Sequence, residues 1–458
     1  MRGSRPSDIR DLLLESGLFD AEWYAAQYPD VVPSGKNPLD HFLTVGMILG
    51  RNPGPDFSEA FMRIAAPHLL SDGKTALVRW LELGCPGIPP ENVVTGAAAL
   101  ARQGRRRDAM IMARRFLGRD AEDPMKLFAA SIAILEGDDR GWLWHLNDYL
   151  APYGIVPVQL RAGPSLLHRF HAAPVKANPG GPLVSVIMPA YRAASHLEAA
   201  ARSILDQSWA NLELLIVDDA SDDGTWPVLQ KLALCDSRVR IRRNSRNLGP
   251  YVSKNLALRD ARGHFVTGHD ADDWAHPQRI EMHMARIIES QGAVKAGTGM
   301  MLRVSPGGLF DNAIGTSPHH SPDGLRRRAF ISCLFERDTM MRRIGFYDCV
   351  RFGADNEMLH RAQRVLGPAF RDFDVFNMIC MDLPDSLTNH PDHGLKTAHG
   401  VSTVRRRYNS RWRTWHNTSA PDDLVLAFPP GKRRFPVPRE IRIPIKDIDQ
   451  AQQDQGPP

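Results

Sequence analysis

From Val184 onward the chain adopts one rhythm, and that rhythm narrows its fold more than any other feature. The apolar run Val184 to Met188 is followed by Ser195 to Gln207, where Leu197, Ala200, Ala201, Ile204 and Leu205 share one helical face. A second run, Leu212 to Val217, precedes a helical stretch from Thr225 to Leu234. Val239 to Ile241, a helix over Ser253 to Ala261 and a fourth strand over His264 to Thr267 complete the alternation. Strand, helix, strand, helix in this order builds an α/β layer with a mostly parallel sheet and right-handed crossovers.

The first third of the chain has a different period. Phe19-Asp-Ala-Glu-Trp-Tyr leads to Pro29, Gly35, Leu39, Phe42 and Gly46, and Phe57-Ser-Glu-Ala-Phe-Met leads to Pro67, Gly73, Leu77, Trp80 and Gly84. The shared offset of 38 positions predicts two all-α repeat units over 1–90, each unable to bury its aromatic face alone. Further helical hairpins of tetratricopeptide-like spacing are expected over 91–172, and Ala172 to Pro182 reads as a linker. The Gln-, Pro- and Asp-rich stretch after about Asp447 is expected to be disordered.

Two acidic clusters follow directly on apolar strands. Asp218-Asp219-Ala-Ser-Asp222-Asp223-Gly224 ends the second strand, and His269-Asp270-Ala-Asp272-Asp273-Trp274 ends the fourth. Ligands of an open parallel sheet bind outside the carboxyl ends of its strands, so both clusters are aimed at one edge. Several carboxylates facing one crevice repel each other unless a cation lies among them. Hard divalent ions, Mn²⁺ or Mg²⁺, suit such oxygen ligands and leave positions open for substrate phosphates. Taken singly, each cluster is also an ordinary turn sequence, because Asp side chains bond their own backbone there.

Other cofactor chemistries find no support. The first strand-to-helix turn, Pro189-Ala-Tyr191-Arg-Ala-Ala-Ser195, contains no glycine, so the GxGxxG dinucleotide cradle is missing. Neither a GxxxxGK[ST] phosphate loop nor a GxSxG nucleophile elbow occurs. Five scattered cysteines with no CxxC pair fit reduced thiols rather than a disulfide frame or zinc site.

Val184 to Tyr191, Leu214 to Gly224, Asn247-Leu-Gly249 with Asn255, and Asp270-Ala-Asp272-Asp273-Trp274 resemble, in order, the motifs of family 2 nucleotide-sugar glycosyltransferases. The resemblance covers about Leu183 to His390 and implies the GT-A fold and a metal-dependent, inverting transfer from a nucleotide-diphosphate sugar, a UDP-sugar, to an acceptor hydroxyl. It implies that Pro189 and Tyr191 lie against the nucleotide, that Asp219 binds uracil or ribose, and that Asp270 contacts the donor. Asp272 and Asp273 would hold the metal in a DxD element. The pair Ala354-Asp355 stands where the family keeps its base, which makes Asp355 the first candidate and Glu357 the second. Trp274 and His276 are secondary sugar contacts, with Trp274 equally readable as core, and His390 or His393 is a secondary metal candidate, a lone late histidine being more often structural. His319-His320 reads as an acceptor loop. The processive synthases' Gln-x-x-Arg-Trp motif is missing, so transfer of one or a few sugars is expected.

With that resemblance the chain divides into helical units at 1–90 and 91–172, a linker at 173–182, a GT-A domain at 183–420 and a basic, then disordered, tail at 421–458. Arginines 405, 406, 407, 411 and 413 near Trp412 and Trp415, followed by Lys432 to Arg434, suit a peripheral contact with an anionic membrane or a solvated face with buried tryptophans. No nucleic-acid signature accompanies a net charge of only +5. No apolar run approaches the ~20 residues that span a bilayer, and no secretion signal is expected, so the reaction is placed in the cytoplasm or at the inner membrane face. The acceptor is expected to be a glycan or lipid-linked, in surface polysaccharide synthesis, with the helical repeats docking a protein partner. A catalytically inactive binding module or a nucleotide-sugar hydrolase is the alternative.

Overall fold

The computed structural model describes residues 6–117, 122–313, 321, 323–395 and 401–453. The chain forms two units, one of Met1–Tyr149 with Gly307–Arg326 and the other of Leu150–Pro306 with Arg327–Pro458. Among the described residues no helix is long and apolar enough to cross a membrane.

In the first unit the helices Ala21–Gln27 and Glu59–Ala65 are capped by Asp20 and Ser58, whose side chains accept the amides of Trp23 and Phe61. Asn37 and Thr75 do the same for Pro38–His41 and Ala76–Glu82. These caps fall at the offset expected from the sequence, because a side-chain oxygen there satisfies an amide that the helix itself leaves unpaired. Phe42, Phe57, Phe61, Trp80 and Leu100 fill one core with the helices that follow, Pro90–Arg102 and Arg106–Leu117. The segment 307–326 belongs to this unit: Phe310 stacks on Trp142 at 5.7 Å, and Trp142 Nε1 donates to Gly308 O at 2.7 Å. His319 and His320 lie outside the described residues.

The helical hairpins do not continue to residue 172. Pro152, Pro157 and Pro164 remove amide donors that a helix needs. The chain instead pairs β1 (Val158–Leu160) with β2 (Phe170–Ala172) in the second unit. The expected linker is strapped to that unit as well, with Asn178 bridged to Trp209 and Trp209 Nε1 donating to Pro182 O at 3.2 Å.

The large sheet holds β3 (Val184–Ala190), β4 (Leu212–Asp218), β5 (Val239–Arg243), β6 (Phe265–Gly268), β7 (Trp274–Ala275), β8 (Ala296–Val304), β9 (Arg326–Arg328), β10 (Leu334–Glu336) and β11 (Phe370–Met381). Its order is β5-β4-β3-β6-β10-β8-β11-β7, with β9 on β8. The strands β5, β4, β3 and β6 are parallel, whereas β10 runs antiparallel to both β6 and β8. The chain winds outward from β3 through β4 to β5, then returns to β6 on the other side of β3. That reversal opens a crevice at the carboxyl ends of β3, β4 and β6. The helix Pro250–Asp260 lies between β5 and β6 in the chain and buries Tyr251 to Leu258.

As far as residue 453 the tail departs from its expected disorder, and 454–458 lie outside the described residues. Ile445–Gln453 is a helix whose Ile448 and Ala451 pack with Leu248, Val252 and Leu256, and Arg246 pairs with Asp447 at 2.9 Å. Apolar residues at a three-residue spacing among the glutamines supply the face that anchors it.

Candidate active site

The first acidic cluster divides into parts with separate tasks. Asp219, buried at the end of β4, accepts the amides of Leu248 and Gly249 at 2.9 and 2.7 Å and Asn244 Nδ2 at 2.8 Å. Burial pushes its pKa up, and these donors oppose that shift. The carboxylate therefore fastens β4 to the Asn247-Leu-Gly249 turn at the mouth of the helix Pro250–Asp260. Gly249 has φ 83°, and a Cβ there would come 3.4 Å from Arg351 Cα, which explains the glycine. Asp222 is exposed and paired in a two-pronged contact with Arg192, both N–O distances being 2.7 Å. Asp223 accepts Thr225 N at 3.0 Å and Ala194 N at 3.2 Å. These two carboxylates clamp the β3 loop to the next helix. Near the end of β3 Pro189 is half-buried, and Tyr191, just past that strand, leaves 44% of its surface open.

The second cluster is the charged centre. Asp270 Oδ1 receives Lys254 Nζ at 3.0 Å, and that lysine is itself buried. Burial, then the Asp270 charge, pushes Asp272 up to about 6, with Arg303 on β8 pulling the other way. Asp273 turns inward: its Oδ1 accepts Met381 N at 3.0 Å. Burial and its two acidic neighbours hold Asp273 well above the carboxylate range. Asp270 and Asp272 are thus the half-exposed carboxylates of the cluster, and Asp273 ties the turn to β11.

The candidate base comes from a third stretch of sequence. Gly353, at φ 90°, caps the helix Ala354–Leu366, and Asp355 stands in its first turn. Tyr251 Oη donates to Asp355 Oδ1 at 2.8 Å and receives Gly353 N at 3.2 Å. Burial, then the Asp355 charge, pushes the Tyr251 pKa well above its usual value, so the phenol remains a donor. Glu357 is enclosed elsewhere: Arg361 Nε and Nη2 donate to it at 2.9 and 3.0 Å, and His416 Nε2 lies 2.8 Å away. Burial would raise its pKa, but the Arg361 charge and His416 hold it below the usual value. With all three groups buried, Glu357 has no open face for an acceptor.

One helical turn therefore gathers the three stretches. Asp219 accepts the Leu248 and Gly249 amides just ahead of it, Tyr251 holds Asp355, and Lys254 holds Asp270. Residues three apart in a helix share a face, so Tyr251 and Lys254 present the two carboxylates side by side. Sequence reasoning passed over both. The visible signal was a tyrosine and a lysine three apart, next to the apolar Val252, Leu256 and Leu258 of the same helix.

The secondary candidates are structural. Trp274 packs on Phe170 at 5.4 Å. His276 Nε2 is bonded to Val156 O at 3.0 Å, and burial pulls its pKa down to about 4. His390 and His393 stack at 4.9 Å, with His393 on Phe352 at 5.6 Å. Tyr408, Trp412 and Trp415 are buried on the inner face of the helix Thr403–Thr418, leaving most of its arginines outside.

Residues 185–300 match the model of the family described as Glycosyl transferase family 2. Over 153 residues the chain is 35% identical to the putative teichuronic acid biosynthesis glycosyltransferase TuaG of Bacillus subtilis, covering 33% of this chain and 60% of that one. Over 108 residues it is 36% identical to the UDP-Glc:alpha-D-GlcNAc-diphosphoundecaprenol beta-1,3-glucosyltransferase WfgD of Escherichia coli, covering 24% and 42%. The solved structure of S. aureus TarS 1-349 in complex with UDP-GlcNAc aligns at 17% identity with a TM-score of 0.36, covering 44% of this chain and 59% of that one. The chain thus spans less than two thirds of the length of these relatives. The acidic ends of β4 and β6 both lie inside the segment that matches the Glycosyl transferase family 2 model, with the parallel strands ordered around them.

Proposed function

We propose that the second unit transfers a sugar from a UDP-sugar to an acceptor hydroxyl with inversion, during synthesis of a cell-surface polysaccharide. One observation carries this reading: the helical turn Pro250–Lys254 brings Asp355 and Asp270 to one place from separate stretches of the chain. The likeness to TuaG, a putative teichuronic acid biosynthesis glycosyltransferase, and to WfgD, whose donor is UDP-Glc, supports it.

The nucleotide lies in the crevice against Tyr191, whose ring is open there. Asp219 acts through the Asn247-Leu-Gly249 turn, since its own oxygens are taken by that turn and Asn244. Asp355 accepts the proton of the acceptor hydroxyl as that oxygen bonds to the anomeric carbon. The bond from this carbon to the diphosphate breaks on the opposite side, and its electron pair leaves with the diphosphate. A single displacement inverts the anomeric centre. Tyr251 keeps the accepting carboxylate aimed, and proton acceptance by such a base contributes about 10²–10⁴-fold.

Asp270 and Asp272 fit a divalent cation. Both belong to one short turn, and burial together with the Asp270 charge makes Asp272 hard to ionise even with Arg303 and Lys254 opposing the shift. Among the described residues no three His, Cys, Asp or Glu side chains gather as a metal cage. That suits an ion held by one or two carboxylates together with substrate phosphates. Mg²⁺ or Mn²⁺ bound there would supply charge neutralisation to the departing diphosphate. The helical first unit, with its arrayed faces, is read as a docking module for a protein partner or the lipid-linked acceptor.

The test is a screen of nucleotide sugars with Mn²⁺, Mg²⁺ or chelator, scored by nucleoside-diphosphate release with and without acceptor extracts. Asp355→Asn and Asp272→Ala should each abolish acceptor-dependent release, the second also weakening ion-dependent donor binding. Turnover of Asp355→Asn at the parent rate would remove the base assignment.

A further inference from the structure

Arg405 stands apart from the other arginines of its helix. Arg406 is bonded within its own turn, to Val401 O and Thr403 Oγ1, and Arg407 pairs with Glu440 at 3.2 Å. Arg405 reaches inward instead. Its guanidinium lies 4.4 Å over the Phe352 ring, its Nε donates to His393 O, and its Nη2 donates to Leu387 O at 2.8 Å. These contacts fix the plane of the group and leave Nη1 without a hydrogen-bond partner among the described residues. Phe352 precedes Gly353, the residue whose amide meets Tyr251 beside Asp355. Burial pulls the Arg405 pKa down, while Tyr251 and Asp355 pull it back up, which sets the cation within electrostatic reach of the base.

Resting on the transferase reading, we propose that Arg405 reads an anionic group, a carboxylate or a phosphate, on the acceptor glycan. The side of the site decides between acceptor and donor. The nucleophilic oxygen must meet Asp355, so the acceptor lies where Arg405 is felt. The donor-side cation is Lys254, which Asp270 already engages. A guanidinium already fixed on three sides loses little freedom when it engages an anion.

The experiment uses the full chain, its UDP-sugar donor and matched acceptors that carry a hydroxymethyl, a carboxylate or a phosphate on the same carbon. A charge-assisted contact predicts that the wild type favours the anionic acceptors in kcat/KM by roughly 10–100-fold, chiefly through KM. Arg405→Ala should bring that ratio close to one, and Arg405→Lys should restore part of it, with both variants checked by thermal unfolding for an intact fold. A ratio kept by Arg405→Ala, or no preference in the wild type, overturns the assignment while leaving the transferase reading in place. If Arg405→Ala instead loses binding to phosphatidylglycerol vesicles and keeps the acceptor ratio, the residue is a membrane contact and the proposal fails. No nucleoside-diphosphate release from the wild type with any donor would take down both readings together.

Discussion

The helix Ala354–Leu366 offers two acidic residues in its first turn, and substitution of Glu357 should separate their roles. Glu357 and Arg361 are both fully buried, joined by two bonds, with His416 as a third partner. Glu357→Ala leaves Arg361 charged and enclosed, with the Ile344 and Phe346 carbonyls as its remaining oxygen acceptors. Breaking a buried pair in this way costs about 3–5 kcal/mol. Glu357→Gln preserves shape and one acceptor, so about 1.5–3 kcal/mol is expected from weakened bonds to a charged group. At about 2–4 °C per kcal/mol for a unit of this size, Tm should fall by roughly 6–20 °C for Ala and 3–12 °C for Gln. Turnover measured well below both transitions should stay within about threefold of the parent, because Glu357 has no open face. Asp355→Asn should show the reverse pattern, with turnover lost and Tm little moved. The acid limb of the unfolding profile adds a second measure. Glu357 is held below its unfolded value, so its contribution is complete above about pH 4.3 and is lost as pH falls through the lower folded value. Calorimetry and a donor-release assay on the three variants suffice. If Glu357→Gln were inactive at an unchanged Tm, the base would be Glu357 and the argument from burial would be wrong.

Three further outcomes follow from the same geometry. Tyr251→Phe removes the donor to Asp355, and kcat should fall about 10–100-fold, the worth of one hydrogen bond to a charged group; an unchanged kcat would show that the phenol does not aim the carboxylate. Because Asp272 titrates near 6, ion-dependent donor binding should weaken about tenfold per unit as pH falls below about 6 and level off above it, read by calorimetric titration across pH 5–8. Gly249→Ala forces a side chain into φ 83° beside Arg351, costing about 1–3 kcal/mol and displacing the amides bonded to Asp219; donor affinity should drop more than thermal stability, and an unaltered donor Kd would sever the turn from the nucleotide.

The alternation of strands and helices after Val184 was legible because each apolar run is short and each helix has one face to bury. The two acidic turns were legible because both follow a strand without a break. What those turns do was harder to read. Asp222 and Asp223 look like ligands in sequence, yet Arg192 and Thr225, far off or hidden in ordinary helix starts, claim them. Asp273 is one residue from Asp272 and differs only in facing Met381, a contact 108 positions away. Tyr251 and Lys254 escaped notice for the same reason: their partners are defined by the packing of one helix against three distant segments. The tail helix was missed because composition dominated its reading, and two apolar residues suffice when a complementary face is already present.

The buried helix Pro250–Asp260 has a second side. Its Val252 and Leu256 rest on Ile448 and Ala451, while Tyr251 and Lys254 hold Asp355 and Asp270, the carboxylates proposed for the acceptor and donor sides. A segment near the end of the chain therefore acts as a shim: thinning it would let acceptor and donor halves drift in unison, so damage some two hundred residues away would register as one joint loss rather than two separate ones.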